Sequence, residues 1–334
     1  MTTIKFTNAS TDFHFASGIS HVKEFADIKK AIFITDENVY AAHTKRFKNF
    51  STIVIKAGEQ YKVQQTVDNI IRQLIDMGAD RQSTLIGAGG GVVTDITGYT
   101  ASVYMRGIRF GFIPTTILGL VDASIGGKNG IDTGVYKNMV GTIVQPSFIL
   151  HDLVFLNSLP GDEWANGFAE IIKHACIKDA AMFEELEQNS LKKYQSKKTL
   201  LCELLQRNAL LKCRIVQKDE FEKGDRKLLN FGHTFGHAIE NTLHIKHGYA
   251  VSIGMMVAAR LSEQLFNFKD SEKLLQLLDR YELPATAKYN RTKTLMLMTH
   301  DKKKAGDYLN YILLKKIGKA VIKQIPLSEL GMLI

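Results

Sequence analysis

Two hydrophobic periodicities divide the chain. In its first part, short apolar runs rich in β-branched residues alternate with stretches of helical period. Residues 31–35, 51–55 and 83–87 predict strands, each bounded by polar or glycine-bearing turns. Between the last two, residues 66–77 carry apolar side chains at 67, 70, 71, 74, 75 and 77, the spacing of one helix face. Gly78 follows, and glycine suits the left-handed position that ends a helix. Residues 92–105 predict a helix after a glycine run, and 109–113 and 148–151 predict further strands. Such alternation predicts a parallel sheet wound with helices.

From about residue 160 the texture changes. Helical periods run over 162–177, 199–216, 232–243, 251–266 and 271–281, and the apolar alternation of 308–325, with Gly318 inside, predicts a closing hairpin. The expected organisation is an α/β domain with a parallel sheet over 1–155, then a mostly α-helical domain over 156–334, the boundary falling near Pro160-Gly161.

Composition narrows the function classes. The chain has 334 residues, 45% hydrophobic and 23% charged, which excludes disordered and fibrous classes. No apolar run is long enough to span a bilayer, and the first residues lack the basic-then-apolar layout of a signal peptide, so a cytoplasmic protein without membrane partners is expected. Cys176, Cys202 and Cys213 are scattered and odd in number, which suits reduced thiols. The net charge is +9, but it is spread along the chain, with no basic tail and no alternation of aromatic and basic residues. Nucleic acid is therefore not the expected partner, whereas a small anionic substrate suits the balance equally well.

Three stretches carry candidate chemistry. Gly87-Ala88-Gly89-Gly90-Gly91-Val92-Val93-Thr94-Asp95 follows a strand and opens a helix, so its missing Cβ atoms and free N–H groups suit a pyrophosphate. Its spacing is not that of the G-x-G-x-x-G fingerprint, and a plain strand–helix turn would read the same way. Gly126-Gly127-Lys128-Asn129 lacks the first glycine and the hydroxyl residue of a P-loop; with Lys137-Asn138 and Asp122 it reads as turns presenting lysines to an anion. Third, Asn230-Phe231-Gly232-His233-Thr234-Phe235-Gly236-His237 and His247-Gly248 place three histidines within fifteen residues, two of them on one helix face. With a carboxylate from elsewhere they could form an open divalent-metal site, or they could be buried helix histidines whose hydrogen bonds are satisfied.

Taken in order, these stretches resemble the 3-dehydroquinate synthase family of sugar-phosphate cyclases. The similarity spans about residues 36–305. It includes Gly58-Glu59-Gln60-Tyr61-Lys62, the glycine run to Asp95, Tyr104-Met105-Arg106-Gly107, Ile113-Pro114-Thr115-Thr116, Val121-Asp122-Ala123-Ser124-Ile125-Gly126-Gly127-Lys128, Lys137-Asn138, Gly167-Phe168-Ala169-Glu170-Ile171-Ile172-Lys173 and both histidine stretches. The resemblance implies tightly bound NAD, one zinc or cobalt ion, and conversion of 3-deoxy-D-arabino-heptulosonate 7-phosphate to 3-dehydroquinate and phosphate in the shikimate pathway. It also implies a homodimer, in which Arg106 reaches the neighbouring subunit's phosphate pocket.

By motif position the resemblance implies Glu170, His233 and His247 as metal ligands, and His237 as a proton-handling neighbour. It implies Lys173, Arg226, Asn230, Lys128, Lys137, Asn138, Lys212 and Asp122 as substrate or anion contacts, with one of Lys302 and Lys303 as a late contact. For NAD it implies Asp36, Asn38, Glu59, Lys62, Gly90, Gly91, Val92, Asp95, Thr115 and Thr116, with Lys128 and Lys137 close by and Phe155 and Ser158 along the adenine or ribose side. The chain departs from the commonest pattern at Leu120, Asn129, Asp132 and Tyr249, none of them an implied metal ligand. The alternatives are another cyclase of the family, such as one making 2-deoxy-scyllo-inosose, a glycerol-dehydrogenase-like metal-dependent alcohol dehydrogenase, or a basic non-enzymatic protein.

Overall fold

The β-branched runs of the first part form the centre of a seven-stranded sheet. The computed structural model describes residues 1–134, 136–299, 304–305 and 307–333. In sequence the strands are β1 (Thr2–Lys5), β2 (Ser10–His14), β3 (Ala31–Asp36), β4 (Ser51–Ile55), β5 (Thr84–Gly89) and β6 (Arg109–Pro114). A two-stranded hairpin, β7 (Lys128–Thr133) and β8 (Tyr136–Ile143), precedes β9 (Phe148–Leu150). The large sheet has the order β1-β2-β9-β6-β5-β3-β4; only β1 and β2 pair antiparallel. Strands β3, β5 and β6 are buried almost throughout because helices cover a parallel sheet on both faces. Those helices are α1 (Glu37–Phe47), α2 (Gln64–Asp76) and α3 (Gly91–Val103).

The strand order places a topological switch at β3. Strand β4 lies on one side of it and β5 on the other, so the connections leaving the carboxyl ends of β3 and β5 diverge and open a crevice. Asp36 ends β3 and Gly89 ends β5. The chain thus delivers its acidic turn and its glycine loop to one rim, where Thr35 Oγ1 donates to the Ala88 carbonyl at 2.7 Å.

The second part is mostly helical: α4 (Gly161–Lys178), α5 (Ala180–Glu187), α6 (Leu191–Ser196), α7 (Lys198–Lys218), α8 (His233–Leu243), α9 (His247–Phe266), α10 (Ser271–Arg280), α11 (Arg291–Thr299) and α12 (Leu327–Leu333). A three-stranded antiparallel sheet, β10 (Lys304–Ala305), β11 (Tyr308–Lys316) and β12 (Lys319–Pro326), joins them. The expected hairpin is β11–β12, with Gly318 in its turn at φ +79°. The chain divides into two units, residues 1–160 with 205–221, and residues 161–204 with 222–334. The division is not a single cut, because the later part of α7 returns to the first unit, where Ala209 and Cys213 pack in the core of the large sheet.

Several elements escaped the periodicity reading, among them β1, β2, α1, the β7–β8 hairpin, α5, α6, α11 and α12, and one helix end differs. Strands β7 and β8 were expected as glycine turns, because their outward faces carry Tyr136, Met139, Val140 and Ile143 exposed, against the usual polar alternation. The helix predicted to reach residue 105 stops at Val103, where Met105 and Arg106 adopt left-handed φ of +51° and +67°. Helix α1 has a weak apolar face and only Phe47 fully buried, so it left little pattern to detect.

His151, in the first unit, is fully buried, and burial pushes its pKa down to about 3. The unfolded chain takes up a proton near pH 6.5 while the folded protein does not, so stability falls as pH drops below that value. Lowering the pH from 6.5 to 5 should cost about 2 kcal/mol through this residue. Urea unfolding at both pH values should therefore show a smaller pH dependence in His151→Phe than in the wild type; equal differences would refute the assignment.

Candidate active site

In the first unit the glycine loop is held against the end of β6. Thr115 N–H donates to the Gly89 carbonyl at 3.0 Å, and Thr116 Oγ1 accepts from Gly119 N–H at 3.0 Å. A Cβ on Gly90 would stand 3.2 Å from Thr116, and one on Gly89 would overlap the Val93 side chain. No side chain caps the N-terminus of α3 at Gly90, so the first N–H groups of α3 and its positive dipole end remain available for an anion. Gly90, Gly91 and Val92 thus form a cradle that side chains would fill. On the neighbouring strand end, Asp36 Oδ1 accepts from Asn38 and Val39 N–H, each at 3.0 Å, capping α1. Burial raises the Asp36 pKa above the usual carboxylate value despite those bonds.

Lys62 organises the polar side of this unit. Its buried Nζ lies 2.5 Å from Asp95 Oδ2 and 2.6 Å from Asn138 Oδ1. Burial opposes its charge, but Asp95, Glu59 and Asp132 outweigh it and raise the Lys62 pKa. Burial pushes the Asp95 carboxyl up to about 6, with Lys62 pulling it down. Glu59 stands 3.8 Å from Lys137 Nζ. Lys212 donates to both the backbone and the carboxylate of Asp122, at 2.7 and 2.9 Å. Lys128 is exposed at the start of β7. Arg106 lies apart from the glycine loop, beyond the far end of α3 and roughly 20 Å along the helix from Gly91.

Asn129, Asp132, Leu120 and Tyr249 each have a definable surrounding. Asn129 donates to the Gly127 and Val144 carbonyls at 2.8 and 3.0 Å, and a Cβ on Gly98 would overlap its amide. Asp132 Oδ1 accepts from the Asn138 backbone N–H at 2.8 Å, holding Asn138 at a left-handed φ of +54°. Leu120 is fully buried. Tyr249 is half-buried, and burial with the nearby Asp162 carboxylate raises its pKa.

The histidines converge in the second unit. Gly232, left-handed at φ +79°, starts α8; a Cβ there would come within 2.7 Å of the Val251 carbonyl and Met255. A Cβ on Gly254 would overlap the Gly232 carbonyl. These missing side chains let α8 and α9 pack closely enough to set the His233 and His247 rings 5.2 Å apart. Both face Glu170 on α4: its Oε1 is 3.6 Å from His233 Nε2 and 3.4 Å from His247 Nε2. Each imidazole is oriented through its other nitrogen, His233 Nδ1 on the Phe231 carbonyl and His247 Nδ1 on Glu240 Oε2, both at 3.1 Å. This is the arrangement of metal-binding histidines whose Nδ1–H is held so that Nε2 points at the ion. One carboxylate and two imidazoles, their donor atoms within 4.8 Å of one another, suit zinc or cobalt with coordination positions left open. His237, Glu240 and His247 also cluster, with His247 Nδ1 bonded to Glu240 Oε2.

Around these groups, Lys173 pairs with Glu170 one turn before it, and both side chains are fully buried. The His237 ring lies 5.2 Å from that of His233 and 6.0 Å from that of His247. Arg226 is buried on the turn Asp225–Asn230, and Asn230 donates to Glu222 Oε1 at 2.6 Å. The N-terminus of α9 is anchored to α4: Lys246 bridges Asp162 and Glu163, and Gly248 N–H donates to Asn166 Oδ1 at 2.6 Å. Glu240, Glu222 and Asn166 were not expected from the sequence. Only Glu240 left a signal, three residues after His237 on the same helix face. Lys302 and Lys303 lie outside the described residues.

The protein groups alone raise the His247 pKa to about 10; burial works against the charge, and the hydrogen bonds the protonated ring donates to Glu170 and Glu240 override it. A divalent ion must therefore displace a proton, and its apparent affinity should fall about tenfold per pH unit below neutrality. Zinc affinity measured by competition with a chelating dye at pH 6, 7 and 8 checks this; a flat profile would refute it.

Sequence models described as 3-dehydroquinate synthase N-terminal and C-terminal match residues 52–166 and 167–304. The 3-dehydroquinate synthase of Leptospira interrogans (strain Fiocruz L1-130) is 37% identical over 325 residues, covering 94% of this chain and 90% of the relative. That of Pyrococcus abyssi is 42% identical over 277 residues, covering 82% and 81%. Among solved structures, the 2-epi-5-epi-valiolone synthase of Streptomyces hygroscopicus subsp. jinggangensis 5008, with NAD+ and Zn2+ bound, superposes with a TM-score of 0.88 at 26% identity, covering 100% of this chain and 97% of that one. The chain belongs to the 3-dehydroquinate synthase family.

Proposed function

We propose that this protein is a 3-dehydroquinate synthase, a phosphate-eliminating carbon–oxygen lyase that converts 3-deoxy-D-arabino-heptulosonate 7-phosphate to 3-dehydroquinate and phosphate in the shikimate pathway. The observation that carries this reading is the triad of Glu170, His233 and His247, two oriented imidazoles facing one buried carboxylate. Bound zinc or cobalt would polarise substrate hydroxyls, and bound NAD would take a hydride and return it, so that the C–H beside the leaving phosphate is acidified without net redox change.

The chain's residues divide the remaining work. Glu170, His233 and His247 hold the ion. The glycine cradle of Gly90, Gly91 and Val92, with Asp36, Asn38, Asp95, Thr115 and Thr116, holds the dinucleotide. Lys173 stabilises negative charge on substrate oxygen. His237, whose ring lies 5.2 Å from that of His233, accepts and returns hydroxyl protons. Arg226 and Asn230 grip an anionic end. Lys128, Lys137, Asn138 and Lys212 take phosphate or carboxylate.

Further readings of the protein follow from the same assignment. We assign it a homodimer through the face bearing Arg106; the exposed Val103, Met105, Tyr136, Met139, Val140 and Ile143 of the first unit support that surface. A cytoplasmic location is supported by three unpaired cysteines. Among the described residues no helix is long and apolar enough to cross a membrane.

Phosphate release from the heptulosonate phosphate should be abolished by a chelator and restored by zinc or cobalt. Activity indifferent to chelation would refute the metal assignment, and accumulation of free NADH would favour a dehydrogenase instead. His233→Ala should lose the metal. Lys137→Ala should keep it and raise KM for the substrate; equal metal content in the two variants would refute that division of roles.

A further inference from the structure

Helix α8 carries a row of metal-binding side chains rather than a single ligand. His233, His237 and Glu240 stand at i, i+4 and i+7, which puts them on one helix face. His247, the first residue of α9, meets this row. Its ring lies 5.2 Å from that of His233 and 6.0 Å from that of His237, and its Nδ1 is 3.1 Å from Glu240 Oε2. Two sets of ligand atoms result, each gathered within 4.8 Å: an inner one of Glu170, His233 and His247, and an outer one of His237, Glu240 and His247.

The two sets differ in access and in field. Glu170 is wholly buried in the inner set, whereas every member of the outer set keeps some exposure, 28% for the His247 side chain and 9% for that of Glu240. Glu240 lies in the last turn of α8, where the negative end of the helix dipole adds to its charge. His233 begins α8, at the positive end, so there Glu170 must supply the attraction. Lys246, next to His247, is bridged to Asp162 and Glu163 at 2.5 Å each, so two carboxylates offset its charge. A neutral imidazole has one lone pair on its two nitrogens, so His247 serves one ion at a time. With Nε2 on an inner ion, its Nδ1–H is donated to Glu240 and the outer set lacks a ligand. The two sets are alternatives, and a change of tautomer converts one into the other.

We propose that His237, Glu240 and His247 form a second divalent-cation site, a loading station that captures zinc or cobalt from solution and passes it to Glu170 and His233 through the shared imidazole. On transfer a proton leaves Nε2 of His247 and one returns to Nδ1 from water, with no net change. This rests on the assignment of the inner set as the metal site.

Zinc binding to the metal-free, full-length protein, followed by competition with a chelating dye and by stopped-flow uptake, tests the proposal. His233→Ala loses the tightly held ion on dialysis, but one zinc per chain should titrate back more weakly, and His237→Ala added to it should abolish that binding. Glu170→Gln empties the inner set without altering α8 and should behave as His233→Ala does. With the inner set intact, His237→Ala should slow zinc uptake by about tenfold or more, the usual weight of a group that supports a metal site, and leave equilibrium affinity within about twofold of wild type. Glu240→Gln keeps an oxygen to accept from His247 Nδ1 but loses the carboxylate charge, and should slow uptake likewise. Absence of zinc binding in both His233→Ala and Glu170→Gln, weak binding that survives the added His237→Ala, or uptake at the wild-type rate in His237→Ala would each overturn the proposal. A wild-type chain that bound no zinc would overturn the inner assignment beneath it.

Discussion

The second unit is organised around one buried carboxylate. Glu170 is wholly inaccessible to solvent, and an ionised carboxyl there costs several kcal/mol unless positive or donor groups surround it. The chain supplies Lys173 from the next turn of α4 and two imidazoles from α8 and α9. Each supplier is fixed in turn: His233 by the Phe231 carbonyl, His247 by Glu240, and the start of α9 by Asn166 and the Lys246 bridges. The close glycine contacts between α8 and α9 exist because the imidazoles must reach one oxygen atom. A site that must hold a divalent ion and a site that must neutralise a buried carboxylate place the same demand on the fold, and this one meets both with the same atoms.

The first unit solves a different problem by different means. The groups it offers to an anion are largely backbone: N–H groups at the start of α3 and a loop whose side chains are missing. The sheet order brings this loop to the switch point beside Asp36. Charged side chains then crowd one edge, with Lys62 set among Asp95, Glu59 and Asp132 and raised in pKa by them. Its positive charge is thereby kept at any pH near neutrality, where a lone buried lysine would be free to lose its proton.

How much of this was legible in the sequence follows from where the information lies. The parallel strands and the amphipathic α2 were readable because burial imposes their periods locally. The histidine pair on α8 was readable for the same reason, but spacing alone weighed His237 equally with His247. The family resemblance separates them, and it draws on Glu170 from α4, more than sixty residues earlier in the chain, which the fold brings within 3.4 Å of His247. Glu240 and Asn166 act by orienting other groups, so no spacing rule nominates them. The β7–β8 hairpin was unreadable because its exposed face is apolar, which breaks the alternation that marks a half-solvated strand.

The four departures from the family pattern bear on the same point. Asp132 adds a negative charge near groups expected to meet an anion, which taken alone would weaken anion binding. Its carboxylate is instead directed at the Asn138 backbone N–H, and its field helps to hold the Lys62 proton. Asn129 turns both amide protons to backbone carbonyls, where a hydroxyl with one proton could satisfy only one. Leu120 fills core. Tyr249 lies beside the Lys246 bridges that seat α9 and gives no donor to the Glu170 cluster. Asp132 and Asn129 thus fix the backbone at the β7–β8 hairpin, Asp132 through Asn138 and Asn129 through Gly127 and Val144.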